Sequence, residues 1–392
     1  MLVAIVGGRL QGLEAAYLCS KAHFETLLID IEPDPPAKGL SDDFHQINIV
    51  NEPWKAKREL RPCDAVLPAN ENRETLIRLR RICHEIKVPF MQDNRAFWIT
   101  SDKLKSMHLL RKSRIPTPEA WPMSGFPVIV KPSNKSGSES VYRADNKRQL
   151  ESSLEIVRGF DDKPVVQEFV EGLALSLEVI SRDGVGHSLE ITGLEFDDKY
   201  GCKRVYAPVE IAPIVKETMM RTGAKVASNL RLNGLTDVQA LLDGSTPRVN
   251  EINARLPSQT PSVVYHSADI NMVELLTSLF IENKALSPRI HPEGAVLYQH
   301  VQALGKELRV QGEHVLARVR GLQVKKDFFG ADEAITNMEL DADATNRVAT
   351  LIVKSHDLRS ASKKMRRVVG NIMSEYHLSH YVDPSPNLGR PL

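Results

Sequence analysis

The amino-acid sequence predicts an α/β protein, α+β beyond its first domain, in which a small doubly wound unit precedes a larger body of strands and helices. Three observations carry this. An apolar run, a helical stretch and a second apolar run follow one another before residue 31, the order of a parallel strand–helix–strand unit. A hairpin pattern stands around residue 245, with polar side chains two apart on one strand. The length of 392 residues suggests two or three domains at about 100–200 residues each. We place them at 1–95, 96–285 and 286–392, the last a strand-rich region with a terminal helix.

Leu2 to Val6 is continuously apolar and stops at Gly7-Gly8, so it reads as a buried strand; Gln11 to Ala22 has helical spacing, and Thr26 to Asp30 returns to strand. The turn between the first two, Gly7-Gly8-Arg9-Leu10-Gln11-Gly12, lacks the GxGxxG spacing of a dinucleotide site. It still sets backbone N–H groups at a helix start, where an anion or carboxylate can sit. A plain tight turn explains it equally well. Ala65 to Pro68 is a further buried strand, and Arg73 to Ile86 a helix rich in i,i+4 partners. Asp102 stands in capping position for a helix from Lys103 to Ser113, which Ile115-Pro116-Thr117-Pro118 ends in a rigid extended linker.

Phe126 to Pro132 is a strand carrying one lysine, Lys131, into an apolar run; a Ser/Gly-rich loop, Ser133 to Ser140, follows before a strand resumes at Val141-Tyr142. Residues 165–182 read as strand, turn, strand. Asp237 to Leu242 and Arg248 to Asn253 flank the turn signal Asp243-Gly244-Ser245 and form an antiparallel hairpin. Asp269 to Phe280 is an amphipathic helix, Gly294 to Val301 and Ala349 to Val353 are short strands, and Leu358 to Tyr376 is a basic helix.

Composition excludes several classes. With 42% hydrophobic and 26% charged residues the chain is ordinary globular material, not disordered or fibrous. Lys plus Arg number 51 against 50 Asp plus Glu, so no field seeks a polyanion and nucleic acid is not an expected partner. Cys19, Cys63, Cys83 and Cys202 are scattered without a CxxC pair, as reduced thiols of a cytosolic protein would be. No apolar run approaches the roughly 18 residues of a membrane span. A soluble, cytoplasmic protein with no membrane partner is expected.

The hairpin carries the chemistry. Side chains two apart on a strand share a face, so Glu251 and Asn253 project together with Gln239 or Asp237 opposite. Oxygen ligands at that spacing suit Mg²⁺, which takes one or two carboxylates and completes its shell with phosphates and water. A solvated strand face is the simpler explanation until Lys131 is considered. A lysine inside a central strand needs an anionic partner, and the Ser/Gly loop after it offers N–H and hydroxyl groups able to close over phosphates. Lys131, the loop and the hairpin together make a candidate nucleoside triphosphate site. Other motifs fail: His84-Glu85-Ile86-Lys87-Val88 has valine where a zincin needs its second histidine, and there is no GxxxxGK[ST].

Asp102-Lys103, Val128 to Pro132 with its loop, Gln167-Glu168-Phe169-Val170-Glu171-Gly172 and Glu251-Ile252-Asn253-Ala254-Arg255 occur in the order of an ATP-grasp carboxylate–amine ligase, and over residues 1–285 the chain resembles that family. Val6 to Leu18, Asn70-Glu71-Asn72 and Ala254 to Pro261 are similar to the diamino-acid ligases of pyrrolysine biosynthesis within it. The resemblance implies an ATP-grasp fold behind a doubly wound pre-ATP-grasp domain, with ATP and Mg²⁺ as cofactors. It implies that Lys103 and Lys131 hold the phosphates, Lys131 with a catalytic role, that Glu168, Phe169 and Val170 read adenine, and that Gly137 and Ser138 form a lid. Gln239, Glu251 and Asn253 would bind magnesium, although Gln239 and Asn253 stand where these ligases more often have acids. Arg255 would face the reacting carboxylate as a catalytic residue.

Two small amino-acid substrates follow from the same resemblance. The glycine turn, with Leu10, Gln11, Glu71 and Asn72, would hold lysine; Arg255, Ser258, Gln259 and Thr260 would hold an ornithine-type substrate. Glu178 and Asp237 are candidates to serve the amine, and each is equally explained as a salt-bridge partner. Rivals are a bicarbonate-using ATP-grasp carboxylase and a nucleotide-binding protein without chemistry.

Overall fold

The computed structural model describes residues 1–135, 140–161, 163–284, 288–317, 319–338 and 347–386. The apolar runs near the N-terminus become neighbouring parallel strands: Leu2–Val6 lies between Glu25–Asp30 and Ala65–Pro68. A fourth strand, Asp43–Gln46, adds outside Glu25–Asp30. Its sequence, Asp-Phe-His-Gln, is polar and partly exposed, so it carries no apolar signal. Alternation along the first strand sends Val3 and Ile5 to the face covered by helix Leu10–Lys21, and Ala4 and Val6 to the face covered by helices Pro53–Leu60 and Arg73–Ile86. Both faces are buried, which is why these strands read as unbroken apolar runs.

Lys131 ends the central strand of a small antiparallel sheet, ordered Tyr142–Ala144, Val128–Lys131, Val165–Glu168. Helix Lys147–Arg158 covers it, burying Leu150 and Val157 against Val128 and Val130. The hairpin Gly234–Asp243 and Thr246–Asn253 forms one edge of a second sheet of 11 strands. The ladder runs inward through Leu173–Arg182, Val185–Phe196 and Cys202–Ala207, then continues into Ala295–Leu304, Arg347–Ser355, Glu333–Thr336 and Gln323–Lys326. The C-terminal strands thus share one hydrogen-bonded sheet with the hairpin. Helix Pro213–Leu230 packs Met219, Val226 and Leu230 beneath the hairpin side, and helix Leu358–Glu375 packs Met365, Val368 and Ile372 beneath the C-terminal side. Among the described residues no helix is long and apolar enough to cross a membrane.

Candidate active site

A cleft of about 450 Å³ opens between the two sheets, lined by Lys103, Lys131, Glu168 to Ala174, Gln239 and Glu251. Lys131 is 6% exposed and, among the described residues, its Nζ reaches one acceptor, the Asn250 carbonyl at 3.4 Å. That carbonyl is available because the hairpin slips register there: Gln239 pairs with Glu251 but Ala240 pairs with Val249, leaving Asn250 as the extra residue of a bulge. Burial pushes the Lys131 ammonium down to about 8, with Glu251 opposing the shift and Lys103 adding to it. Lys103 opens helix Lys103–Lys112, whose first N–H groups are capped by Asp102. Its ammonium donates to the Lys135 carbonyl and lies 3.6 Å from Glu251 Oε1. Burial raises the Glu251 carboxyl, but Lys103, Lys131 and Arg255 outweigh it and hold the group below the usual carboxylate range. Two cations share one nearby carboxylate, so the pair of lysines has room for an anion.

On the hairpin, Asp237 stands opposite Asn253 and Gln239 opposite Glu251. Asp237 Oδ2 accepts from the Gln239 amide at 2.9 Å and from the Asn253 amide at 3.1 Å. Both amides spend their nitrogens inward, so their oxygens are the atoms available to a cation. Asp237 Oδ1 is buried without a hydrogen-bond partner. One carboxylate, two amide oxygens and an orphaned acid oxygen fit the oxygen preference of Mg²⁺, with phosphates and water completing the shell. Among the described residues no group of three or more His, Cys, Asp or Glu side chains gathers to hold a metal, in keeping with a set this poor in acids. Glu178 faces Asp237 from the neighbouring strand. Its Oε1 accepts from Ser176 at 2.8 Å while Oε2 is buried without a partner. Burial pushes Glu178 up to about 8 and raises Asp237 as well.

The segment expected to read adenine crosses the mouth of the cleft. Glu168 Oε2 is held by Arg248 at 2.7 Å, and the N–H groups of Glu168 and Phe169 donate to the carbonyls of Glu119 and Pro127. The Arg143 guanidinium lies 4.3 Å from the Phe169 ring centroid. The lid residues Gly137 and Ser138 lie outside the described residues.

A second cluster gathers at Arg255. Its Nε donates to Glu71 Oε1 at 2.8 Å, and Gln11 Nε2 reaches the same oxygen at 3.3 Å. Gln11 and Leu10 begin helix Leu10–Lys21 after the glycine turn. Gly7 sits there at φ +110°, and a Cβ would stand 2.4 Å from the Ala69 carbonyl oxygen, so only glycine lets the turn close. Asn72 Oδ1 caps helix Arg73–Ile86 through Thr75 N–H at 2.9 Å. The lysine-side group of the sequence analysis and Arg255 of the ornithine-side group therefore meet in one ion pair. Gln259 has φ +75° and ψ −55°, and the bond from Thr260 N–H to the Ser258 carbonyl at 3.0 Å closes a tight three-residue turn around it. Glu14, from the N-terminal helix, accepts from Ser262 N–H at 2.6 Å and so caps helix Thr260–Ala268.

Two residues of this region escape the sequence reading. Glu313, in the C-terminal region, accepts from Ser258 Oγ at 3.1 Å and Gln259 Nε2 at 2.5 Å; burial raises its carboxyl, and Arg255 opposes the shift. No local motif marks it, because the continuous sheet brings it in from 54 residues away. Lys203 lines the ATP-side cleft at 2% exposure. The signal was present: the strand Cys202–Ala207 alternates buried and half-buried residues, and Lys203 falls on a buried position.

This fold and site define the class. Residues 100–259 match the ATP-grasp domain. The fold is shared with the biotin carboxylase domain of the Hydrogenobacter thermophilus 2-oxoglutarate carboxylase, at a TM-score of 0.72 and 14% identity over 94% of this chain and 89% of that one. The protein is an ATP-grasp, ATP-dependent ligase. It is 34% identical to the 3-methyl-D-ornithine–L-lysine ligase of Methanosarcina barkeri, over 76% of this chain and 79% of that protein. It is likewise 34% identical to the Methanosarcina mazei enzyme of the same name, over 80% of this chain and 82% of that one. The chain belongs to the 3-methyl-D-ornithine–L-lysine ligase family.

Proposed function

We propose that this protein, in the cytoplasm, uses ATP and magnesium to join the carboxylate of 3-methyl-D-ornithine to the ε-amine of L-lysine, a step of pyrrolysine biosynthesis. The observation that carries this reading is the junction at Arg255. One guanidinium links the hairpin that ends in Glu251 and Asn253 to Glu71 and Gln11 beside the glycine turn. A carboxylate on the Arg255 side and an amine on the glycine-turn side would meet next to the phosphate lysines. The names of the Methanosarcina relatives support the choice of substrates.

Each residue then has a task. Lys103 and Lys131 neutralise the charge that develops as the ornithine carboxylate takes the γ-phosphoryl group to give an acyl phosphate. Glu251, with the amide oxygens of Gln239 and Asn253, would hold magnesium, which when bound would add to the neutralisation of the phosphates. Arg255 orients the carboxylate in two parallel hydrogen bonds and then holds the tetrahedral oxyanion when the amine attacks. Glu178 or Asp237, raised by burial, can take a proton from the incoming ammonium. Glu71 and Asn72 grip lysine by its α-groups, leaving the ε-amine to point at the acyl phosphate.

The test is mass spectrometry with phosphate measurement, on protein incubated with ATP, Mg²⁺, L-lysine and D-ornithine or its 3-methyl analogue. An Nε-linked amide, with one ADP and one phosphate released per amide, is expected. An α-linked amide, no coupling, or ATP turnover driven by bicarbonate alone overturns the reading.

A further inference from the structure

The chain beyond strand His380–Val382 turns into the cleft, where Ser385 and Pro386 join Lys131 and Glu168 in its lining. Lys203 meets it there. Its Nζ donates to Asp383 Oδ1 at 2.6 Å, the Pro384 carbonyl at 2.5 Å and Ser385 Oγ at 3.3 Å. An ammonium has three donors, so while this segment is seated Lys203 has none left for a ligand. Arg204 binds the other oxygen, Asp383 Oδ2, at 2.8 Å. Arg204 also has Glu195 and Gln299. Lys203 has no acidic partner except Asp383 among the described residues. Withdrawing the segment would leave Arg204 paired and Lys203 a buried ammonium facing the cleft. Such a charge is costly without an anion.

The backbone pairing of the segment is short, so the bonds to Lys203 and Arg204 are its main hold. Among the described residues His380–Val382 pairs only with the short strand Glu307–Val310, over three residues of parallel ladder, and Tyr381 is 42% exposed. In Asp383-Pro384-Ser385-Pro386 the two prolines fix an extended backbone and remove N–H donors, so the ladder ends and the chain crosses the cleft wall without further secondary structure. With so little ladder, what keeps the segment seated is its contact with Lys203 and Arg204, which a competing anion can replace.

We propose that Asp383 to Pro386 form a self-inhibitory strap: Asp383 occupies Lys203 in place of the phosphates of a nucleotide, and nucleotide binding displaces it. This rests on the reading of the cleft as the nucleotide site. Titration calorimetry with Mg²⁺ and a non-hydrolysable ATP analogue compares the full chain, Asp383→Asn, and a chain ending at Val382. Both variants should bind about fivefold tighter, the scale of a partly exposed ion pair. Hydrogen exchange at residues 380–386 of the unaltered protein should accelerate when the analogue is added. Unchanged or weaker binding by both variants, or slower exchange at 380–386, overturns the strap and makes the segment a fixed part of the wall. Lys131→Met keeps the two readings apart. If it abolishes binding while Asp383→Asn changes nothing, the nucleotide site stands and the strap falls; if no chain binds the analogue, both fall.

Discussion

Two lysines line the same cleft in opposite states. Lys131, on the small sheet, has one long contact among the described residues, at 3.4 Å, and an ammonium pushed down to about 8. Lys203, on the large sheet, is at least as buried and has three partners within 3.3 Å. The difference lies in what each strand brings near it. Lys131 faces a hairpin whose carboxylate it shares with Lys103 and does not touch, whereas Lys203 bonds directly to one oxygen of Asp383 from the C-terminal segment, the other oxygen going to Arg204. Burial alone therefore does not mark a lysine as available to a ligand; the count of its satisfied donors does.

The strongest way to break the comparison is to remove the charge at Lys131. Lys131→Met, and equally Glu251→Ala, should lower the ligation rate by about a thousandfold or more with the circular dichroism spectrum unchanged. Near-normal turnover in either variant would show that the cleft does not hold the phosphates. Arg255→Lys keeps the charge but loses the paired geometry and the Nε–H that reaches Glu71, so a loss of about 10- to 100-fold in kcat/KM is expected. If it equals the wild type, Arg255 is only a surface ion pair.

Gln239→Glu sharpens the contrast from the hairpin side. It adds a charge for magnesium but places a carboxylate where an amide now donates to Asp237 at 2.9 Å. Melting without metal should come at lower temperature, and a magnesium titration should show affinity rising several-fold; unchanged affinity counts against Gln239 as a ligand.

Glu14 tests whether the fold bears the cost of other buried charges. Burial pushes its carboxyl up to about 7, although Ser262 donates to it and Glu313 adds repulsion. A carboxyl raised above its unfolded value of 4.5 contributes stability that is complete below that pH and is lost as pH rises through 7. Glu14→Gln should therefore melt a few degrees higher than wild type at pH 8 and match it near pH 4. Parallel melting curves across that range would show that Glu14 does not titrate there. The smallest effect is expected from Asn72→Ala, which loses a helix cap of about 1 kcal/mol and should raise KM for lysine more than KM for ATP. The reverse order would remove Asn72 from the amine side.

The apolar strands and the hairpin were legible in the sequence because their periodicity is local. Leu2–Val6, Ala65–Pro68 and helix Arg73–Ile86 lie where the pattern placed them. Strand Asp43–Gln46 was hidden because an edge strand with partly exposed faces has no apolar period to display. Lys103, Lys131, Gln239, Glu251 and Asn253 could be singled out from motif order, and they line one cleft or its hairpin wall. Glu313 could not, and Lys203 only through the alternation of its strand and not through its partner, since the partners lie at Gln259 and Asp383, at sequence separations of 54 and 180. That proximity is created by a sheet continuing from the hairpin into the C-terminal strands, a tertiary fact that no window of residues contains.

The bulge at Asn250 ties the length of the chain to its chemistry. Deleting that residue would leave Glu251 opposite Gln239 and Val249 opposite Ala240, an unbroken ladder with every side chain still on its own face. Such a hairpin would be more regular, yet the carbonyl that receives Lys131 would be gone. At the turn a few residues away, Gly244 and Ser245 are exposed and the contact to keep is the ion pair of Asp243 with Arg248 at 2.6 Å. One hairpin thus contains an exposed two-residue tip and, a few residues along its second strand, a single position where the residue count itself is what natural selection would have to preserve.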